Sequence, residues 1–230
     1  MEPEIKKEGG SKILLPVSII ISGLLIVGAL VYQPGVNKAG KNSLASKTGD
    51  PRTATLEIGA SPVLGQTEAP VTMIVYGDYQ CPFCKDQADK VELRLRKEYV
   101  ETGKLKIVFK HFPLESIHPY ARPSAIAANC AFAQGKFWEY HDELYKNQAN
   151  LDKINFKTLA GSLGLNTETF STCLKDPKVN ETVTQDLESG IALGIKGTPA
   201  SFIDNVYVEG AYPYNSFKDI IDGQLAKVKK

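Results

Sequence analysis

The spacing of apolar residues changes along this chain, and each change predicts an element. Residues 13–32 read I-L-L-P-V-S-I-I-I-S-G-L-L-I-V-G-A-L-V-Y and carry no charge. As a helix rising about 1.5 Å per residue, such a run spans about 30 Å, the thickness of a bilayer core. That is more than a buried core helix needs. No Ala-x-Ala-like site follows Tyr32, as a cleaved export signal would require. The run is therefore expected to be an uncleaved transmembrane anchor behind a short segment, 1–12. Residues 33–55 are rich in Gly, Ser, Asn, Lys and Thr and poor in large apolar side chains, so a flexible linker is expected there. One folded domain is expected over 56–230.

Inside that domain the pattern shortens. V-T-M-I-V-Y at 71–76 is nearly all apolar and β-prone, as for a strand buried on both faces. After a loop at 77–84, Ala88, Val91, Leu95 and Tyr99 recur three and four apart with charges between them, predicting an amphipathic helix that starts at Cys81 and Cys84 and ends near Gly103. Leu105, Ile107 and Phe109 then alternate with Lys106, Val108 and Lys110, a second strand. Strand, helix and strand make a βαβ unit. Residues from about 115 to 194 read as helices: 121–134, 136–149, 156–163, 167–174 and 179 to about 193, punctuated by Gly135, Gly161, Gly164 and Pro177. Strand character returns at 200–203, turns at Asp204-Asn205 and continues over 206–209 as a hairpin. A last helix is expected from Ser216, with Asp219 as its capping partner. The order is β-α-β, a helical insertion, then β-β-α.

Charge adds little. The formal net charge is +1, and no basic stripe interleaves with aromatics, so nucleic acid is not an expected partner. Cysteine adds more. D-Y-Q-C-P-F-C-K at 78–85 places Cys81 at the predicted helix start and Cys84 one turn on. Unpaired N–H groups and the positive end of the helix dipole favour a thiolate there. Pro82 at the first helical position forfeits only an N–H that had no helical partner. Cys81 is thus expected to be the exposed nucleophile and Cys84 the buried resolving thiol. The same spacing is also half of a zinc site, but Cys130 and Cys173 stand alone, with no Cys or His within four residues. No metal site is expected. Pro199 in G-T-P-A (197–200) precedes the third strand, a common place for any proline.

Taken together these residues resemble the DsbA family of thiol–disulfide oxidoreductases, in its membrane-tethered, BdbD-like branch. V-L-G-Q-T-E-A-P-V-T (63–72), H-F-P-L (111–114), H-P-Y-A (118–121) and G-K-F-W-E-Y-H-D (135–142) fit the same branch, and the resemblance covers about 56–230. With the element order it implies an α/β, thioredoxin-like fold carrying a helical insertion at about 115–194, preceded by one transmembrane helix. It implies that Cys81 attacks and Cys84 resolves, with Pro82 and Phe83 between them. It implies a cis Pro199 facing the pair, and a Thr198 backbone that pairs with an extended client segment. The redox group would be the disulfide within the chain, with no further cofactor. Partners would be unfolded or exported cysteine-containing proteins and a quinone-linked membrane reoxidant of the DsbB or VKOR type. Two departures stand out. Phe83 occupies the place where many relatives have a His that stabilises the thiolate, so a less oxidising pair is expected. Val75 occupies the place of a buried acid six residues before the first cysteine, which leaves Asp78 or water to move the proton of Cys84.

Cys130 and Cys173 would close a loop of about 44 residues if paired, worth roughly 4 kcal/mol in the chain-entropy account. Two free buried thiols are the alternative, and related proteins favour a structural bridge. Lysines flank the anchor on both sides, so charge does not orient it. Disulfide chemistry does: it places 33–230 outside the cytoplasm and 1–12 inside, a single-pass protein of the cell membrane. His111, His118 and His141 lack metal-ligand spacing and are expected to be structural. The expected function is to introduce disulfides into exported proteins. A reductase or isomerase using the same site, and a metal- or client-binding module without catalysis, are the alternatives.

Overall fold

The computed structural model describes residues 57–228. The segment 1–12, the anchor expected at 13–32 and the linker expected at 33–55 lie outside the described residues. Among the described residues no helix is long and apolar enough to cross a membrane.

Five strands form one sheet in the order β1-β3-β2-β4-β5. They are β1 (Val63–Leu64), β2 (Val71–Gly77), β3 (Leu105–His111), β4 (Ala200–Ile203) and β5 (Val206–Glu209). β2 and β3 run parallel, from Val71 opposite Leu105 to Gly77 opposite His111, and the other neighbours are antiparallel. The unbroken apolar run of β2 follows from this position. Val71, Met73 and Val75 enter one core cluster and Ile74 and Tyr76 the other, so both faces are covered. The hairpin turns at Asp204, whose φ of 48° is left-handed.

Helix α1 runs without a break through residues 82–100, with Ala88–Glu92 and Arg96–Val100 wound in π form. Its buried face carries Ala88, Val91, Leu95 and Tyr99 against the first cluster. Each large apolar side chain fully buried there contributes about 1.5–3 kcal/mol, an upper figure because the unfolded chain already buries some of it. The insertion holds α2 (Ala121–Phe132), α3 (Phe137–Lys146), a 3-10 turn (Gln148–Asn150), α4 (Phe156–Ser162), α5 (Thr167–Cys173) and α6 (Pro177–Ala192). Helix α7 (Tyr214–Val228) closes the domain and buries Phe217 and Ile221.

Three local expectations are corrected, and one strand is new. Helix α7 begins at Tyr214, not Ser216. The Ser216 N–H donates to the Pro213 carbonyl at 3.0 Å, so Ser216 lies within the first turn rather than capping it. Helix α6 begins at Pro177, which opens a helix instead of breaking one; the Asp176 side chain caps it by accepting the Lys178 N–H at 2.9 Å. Gly161 lies inside α4, while Gly135 and Gly164 do end helices, at φ of 75° and 77°. Strand β1 was not expected, because two residues are too few to show a period.

Candidate active site

Cys81 occupies the cap position of α1, with extended backbone (φ −74°, ψ 121°), and Pro82 follows as the first helical residue. The Cys81 carbonyl accepts the N–H groups of Cys84 (3.1 Å) and Lys85 (3.2 Å), which starts the helix and brings the two thiols together. They are not joined. The peptide bond between Thr198 and Pro199 is cis, and the loop before β4 lies over the pair: the Cys81 thiol donates to the Thr198 carbonyl at 3.3 Å. The structure thus brings Cys81, Pro82, Phe83, Cys84, Thr198 and Pro199 into one place.

Exposure is where the expectation for Cys81 needs correction. Only 4% of Cys81 is open to solvent, hardly more than the 3% of Cys84. The covering Thr198 loop is the reason. The exposed residue is Phe83, at 63%.

Electrostatics separate the two thiols more than exposure does. The thiol of Cys84 lowers Cys81 to about 6 by hydrogen bonding to its sulfur. The Thr198 side chain and the N–H groups of Cys84 and Phe83 assist, against the opposing effect of burial. Burial first, and then neighbouring Cys81, push Cys84 well above an ordinary thiol. A stabilised thiolate beside a protonated partner is the arrangement that disulfide exchange requires.

The loop between β2 and α1 is held largely by the insertion. Asp78, 2% exposed, accepts the Gln80 N–H on Oδ1 (2.7 Å), and the Leu114 N–H (2.9 Å) and His118 Nδ1 (2.8 Å) on Oδ2. Its own N–H donates to Cys84 Sγ at 3.4 Å. Gln148 donates to the carbonyls of Tyr79 (2.8 Å) and Cys81 (2.9 Å), and Gln80 accepts the Tyr120 N–H (2.7 Å).

Here the histidines part company. His111 and His141 are buried, and burial lowers both. His111 Nε2 pairs with Asn129 Oδ1 at 3.0 Å and His141 Nδ1 with the Tyr79 hydroxyl at 3.1 Å. His118 alone of the three bonds to Asp78, and sequence reasoning missed it; the H-P-Y-A stretch was its one signal. Glu92 was missed as well. It is 2% exposed, and burial raises its carboxyl. Gln87 Nε2 bridges it (3.3 Å) to Ser201 Oγ (3.2 Å). Residues five apart do not share a face of a regular α-helix; the π winding at Ala88–Glu92 brings them together.

Cys130 in α2 and Cys173 in α5 are joined by a disulfide within the insertion. Among the described residues no group of three or more His, Cys, Asp or Glu side chains could hold a metal ion.

With this geometry in place, comparison with known proteins assigns the family. The family model described as "Thioredoxin" matches residues 57–223. The chain belongs to the thioredoxin family. Within that family the DsbA and BdbD resemblance drawn from the sequence holds. A protein of Bacillus anthracis called "Probable disulfide bond formation protein D" is 26% identical over 96% of this chain and 100% of its own length. BdbD from Bacillus subtilis, solved in its oxidised form, shares the fold at a TM-score of 0.66 and 24% identity, covering 72% of this chain and 93% of that one. The Na(+)/H(+) antiporter NhaA 3 of Salinispora tropica is 35% identical over 66% of this chain, which spans only 22% of that antiporter.

Proposed function

We propose that this thioredoxin-family protein is a membrane-anchored, extracytoplasmic thiol–disulfide oxidoreductase that introduces disulfides into exported proteins at Cys81–Cys84. The observation that carries the reading is the opposed pair: Cys81 lowered to about 6 beside a Cys84 held as a thiol. In the oxidised enzyme a client thiolate attacks Cys81 Sγ. The Cys81–Cys84 bond breaks, and Cys84 leaves and takes up a proton. A second client thiolate then attacks the client sulfur of the mixed disulfide, and Cys81 leaves as a stable thiolate. The client loses two electrons to form its disulfide, and the enzyme ends as the dithiol. The Thr198 carbonyl, now on the Cys81 thiol, is free to accept from an extended client segment once that contact is given up. The disulfide itself is the redox group. A quinone-linked membrane partner of the DsbB or VKOR type would remove the two electrons, and residues 13–32 would hold the enzyme beside it.

Direction follows from stability of the reduced state, since a stabilised Cys81 thiolate makes the pair more oxidising. A value of about 6 falls between the handful of reference thiols near 7 in thioredoxin and about 3.5 in DsbA. The potential is therefore expected between about −270 and −120 mV. The test is to measure it against glutathione and to trap clients on a Cys84→Ser variant in intact cells. Mixed disulfides between Cys81 and exported proteins, on a protein that sediments with membranes, support the reading. A potential below thioredoxin's would make the protein a reductase. Absence of any trapped species would end every exchange reading.

A further inference from the structure

We propose that His118, acting through Asp78, is a positioning residue of the exchange site that keeps the Asp78 N–H on the sulfur of Cys84. The inference rests on Cys81–Cys84 being the exchange pair.

Cys84 Sγ receives the Asp78 N–H at 3.4 Å in a place closed to water. That N–H can point at the sulfur only if the peptide plane before Asp78 is fixed, and the Asp78 side chain fixes it. Its two oxygens accept three N–H bonds, two of which, from Leu114 and His118, come from the segment between β3 and α2. Two of the three donors are backbone groups. His118 Nδ1, at 2.8 Å, is the donor supplied by a side chain, so it is the one that sequence can vary.

The contact matters because its strength differs between redox states. An N–H bonds a sulfur that carries negative charge better than a sulfur tied in a disulfide, and Cys84 carries such charge as it leaves and while it shares its proton with the Cys81 thiolate. Fixing the Asp78 N–H therefore favours the reduced enzyme and favours Cys84 as a leaving group. His118 lies at the edge of the core rather than inside it: its side chain is 16% exposed, and Ile117 beside it is 67% exposed.

The test compares His118→Ala, His118→Gln and His118→Asn with the parent. In asparagine the amide nitrogen takes the place of imidazole Nδ1; in glutamine it takes the place of Nε2 and misses Asp78. The readout is the equilibrium of the Cys81–Cys84 pair with glutathione, followed on the enzyme's own thiols, with circular dichroism to confirm folding. His118→Ala and His118→Gln are expected to favour the oxidised enzyme by about three- to tenfold, the worth of one modest hydrogen bond. Tenfold corresponds to about 30 mV for two electrons. His118→Asn is expected within about twofold of the parent, because the donor is restored. If His118→Ala fails to fold, His118→Gln carries the comparison. Folded variants with the parent's equilibrium overturn the inference, and so does an asparagine variant shifted as far as glutamine. A parent protein that does not exchange with glutathione at all overturns the proposed function instead, and this inference with it.

Discussion

Cys81 and Cys84 have the same side chain, one helical turn apart, and their surroundings drive them in opposite directions. Cys81 gains hydrogen bonds to its sulfur, from Cys84 foremost, and is lowered to about 6; Cys84 is desolvated and raised. At pH 7 Cys81 would then be about ten parts thiolate to one of thiol. Alkylation of the reduced protein by iodoacetamide should rise with pH through a midpoint near 6 and level off above 7, with Cys81 modified and Cys84 untouched. The sign follows from the thiolate being the nucleophile: below the midpoint Cys81 is protonated and slow. A Phe83→His variant should move the midpoint lower, because an imidazolium beside the sulfur favours its charge, as a phenyl ring cannot. A midpoint near 8.5 in the parent would mean that the thiolate is not stabilised.

At the scale of elements, close approach of α6 to the sheet is set by one missing side chain. A Cβ on Gly190 would lie 2.6 Å from the Phe112 ring and 3.1 Å from Tyr76. Both rings are buried, and Tyr76 is also tied to Ser189 by a 3.0 Å hydrogen bond, so neither can step aside freely. Gly190→Ala is expected to cost about 1–3 kcal/mol by overpacking. Gly223→Ala in α7 adds a methyl with nothing within 4 Å and should be neutral or stabilising by about 0.5–1 kcal/mol. Urea melts of the two variants check the contrast; equal stability would show that α6 shifts to accommodate the methyl.

Across the whole molecule, the insertion does more than cover the sheet. Leu114, His118, Tyr120 and Gln148 reach back to the loop that carries the cysteines. Their support depends on the insertion keeping its shape, and Cys130–Cys173 ties α2 to α5 within it. Replacing both cysteines by alanine should lower stability by up to about 4 kcal/mol, from the loop entropy returned to the unfolded chain. Denaturation of the double variant and the parent under the same conditions measures this. A loss below about 1 kcal/mol would show that packing alone holds the insertion together.

Much of this was legible one residue at a time. Period-two and period-three-to-four patterns report which faces are buried, so β2, β3, α1 and the order of elements could be read, and a thiol at a helix start could be read from Cys81, Pro82 and Cys84. Capping is a local signal too, yet Pro177 and Ser216 show that a residue type with two uses does not say which applies. What only the tertiary structure decided depends on residues distant in sequence. The Thr198 loop covers Cys81 from 117 positions away, and His118 reaches Asp78 from 40 positions away. Gln87 and Glu92 meet only because the helix widens between them. Sequence by itself determined the chemistry at the helix start, because that depends on neighbours along the chain. The environment that tunes it came from the folded structure, because a covering loop and hydrogen bonds between residues distant in sequence leave no periodic trace.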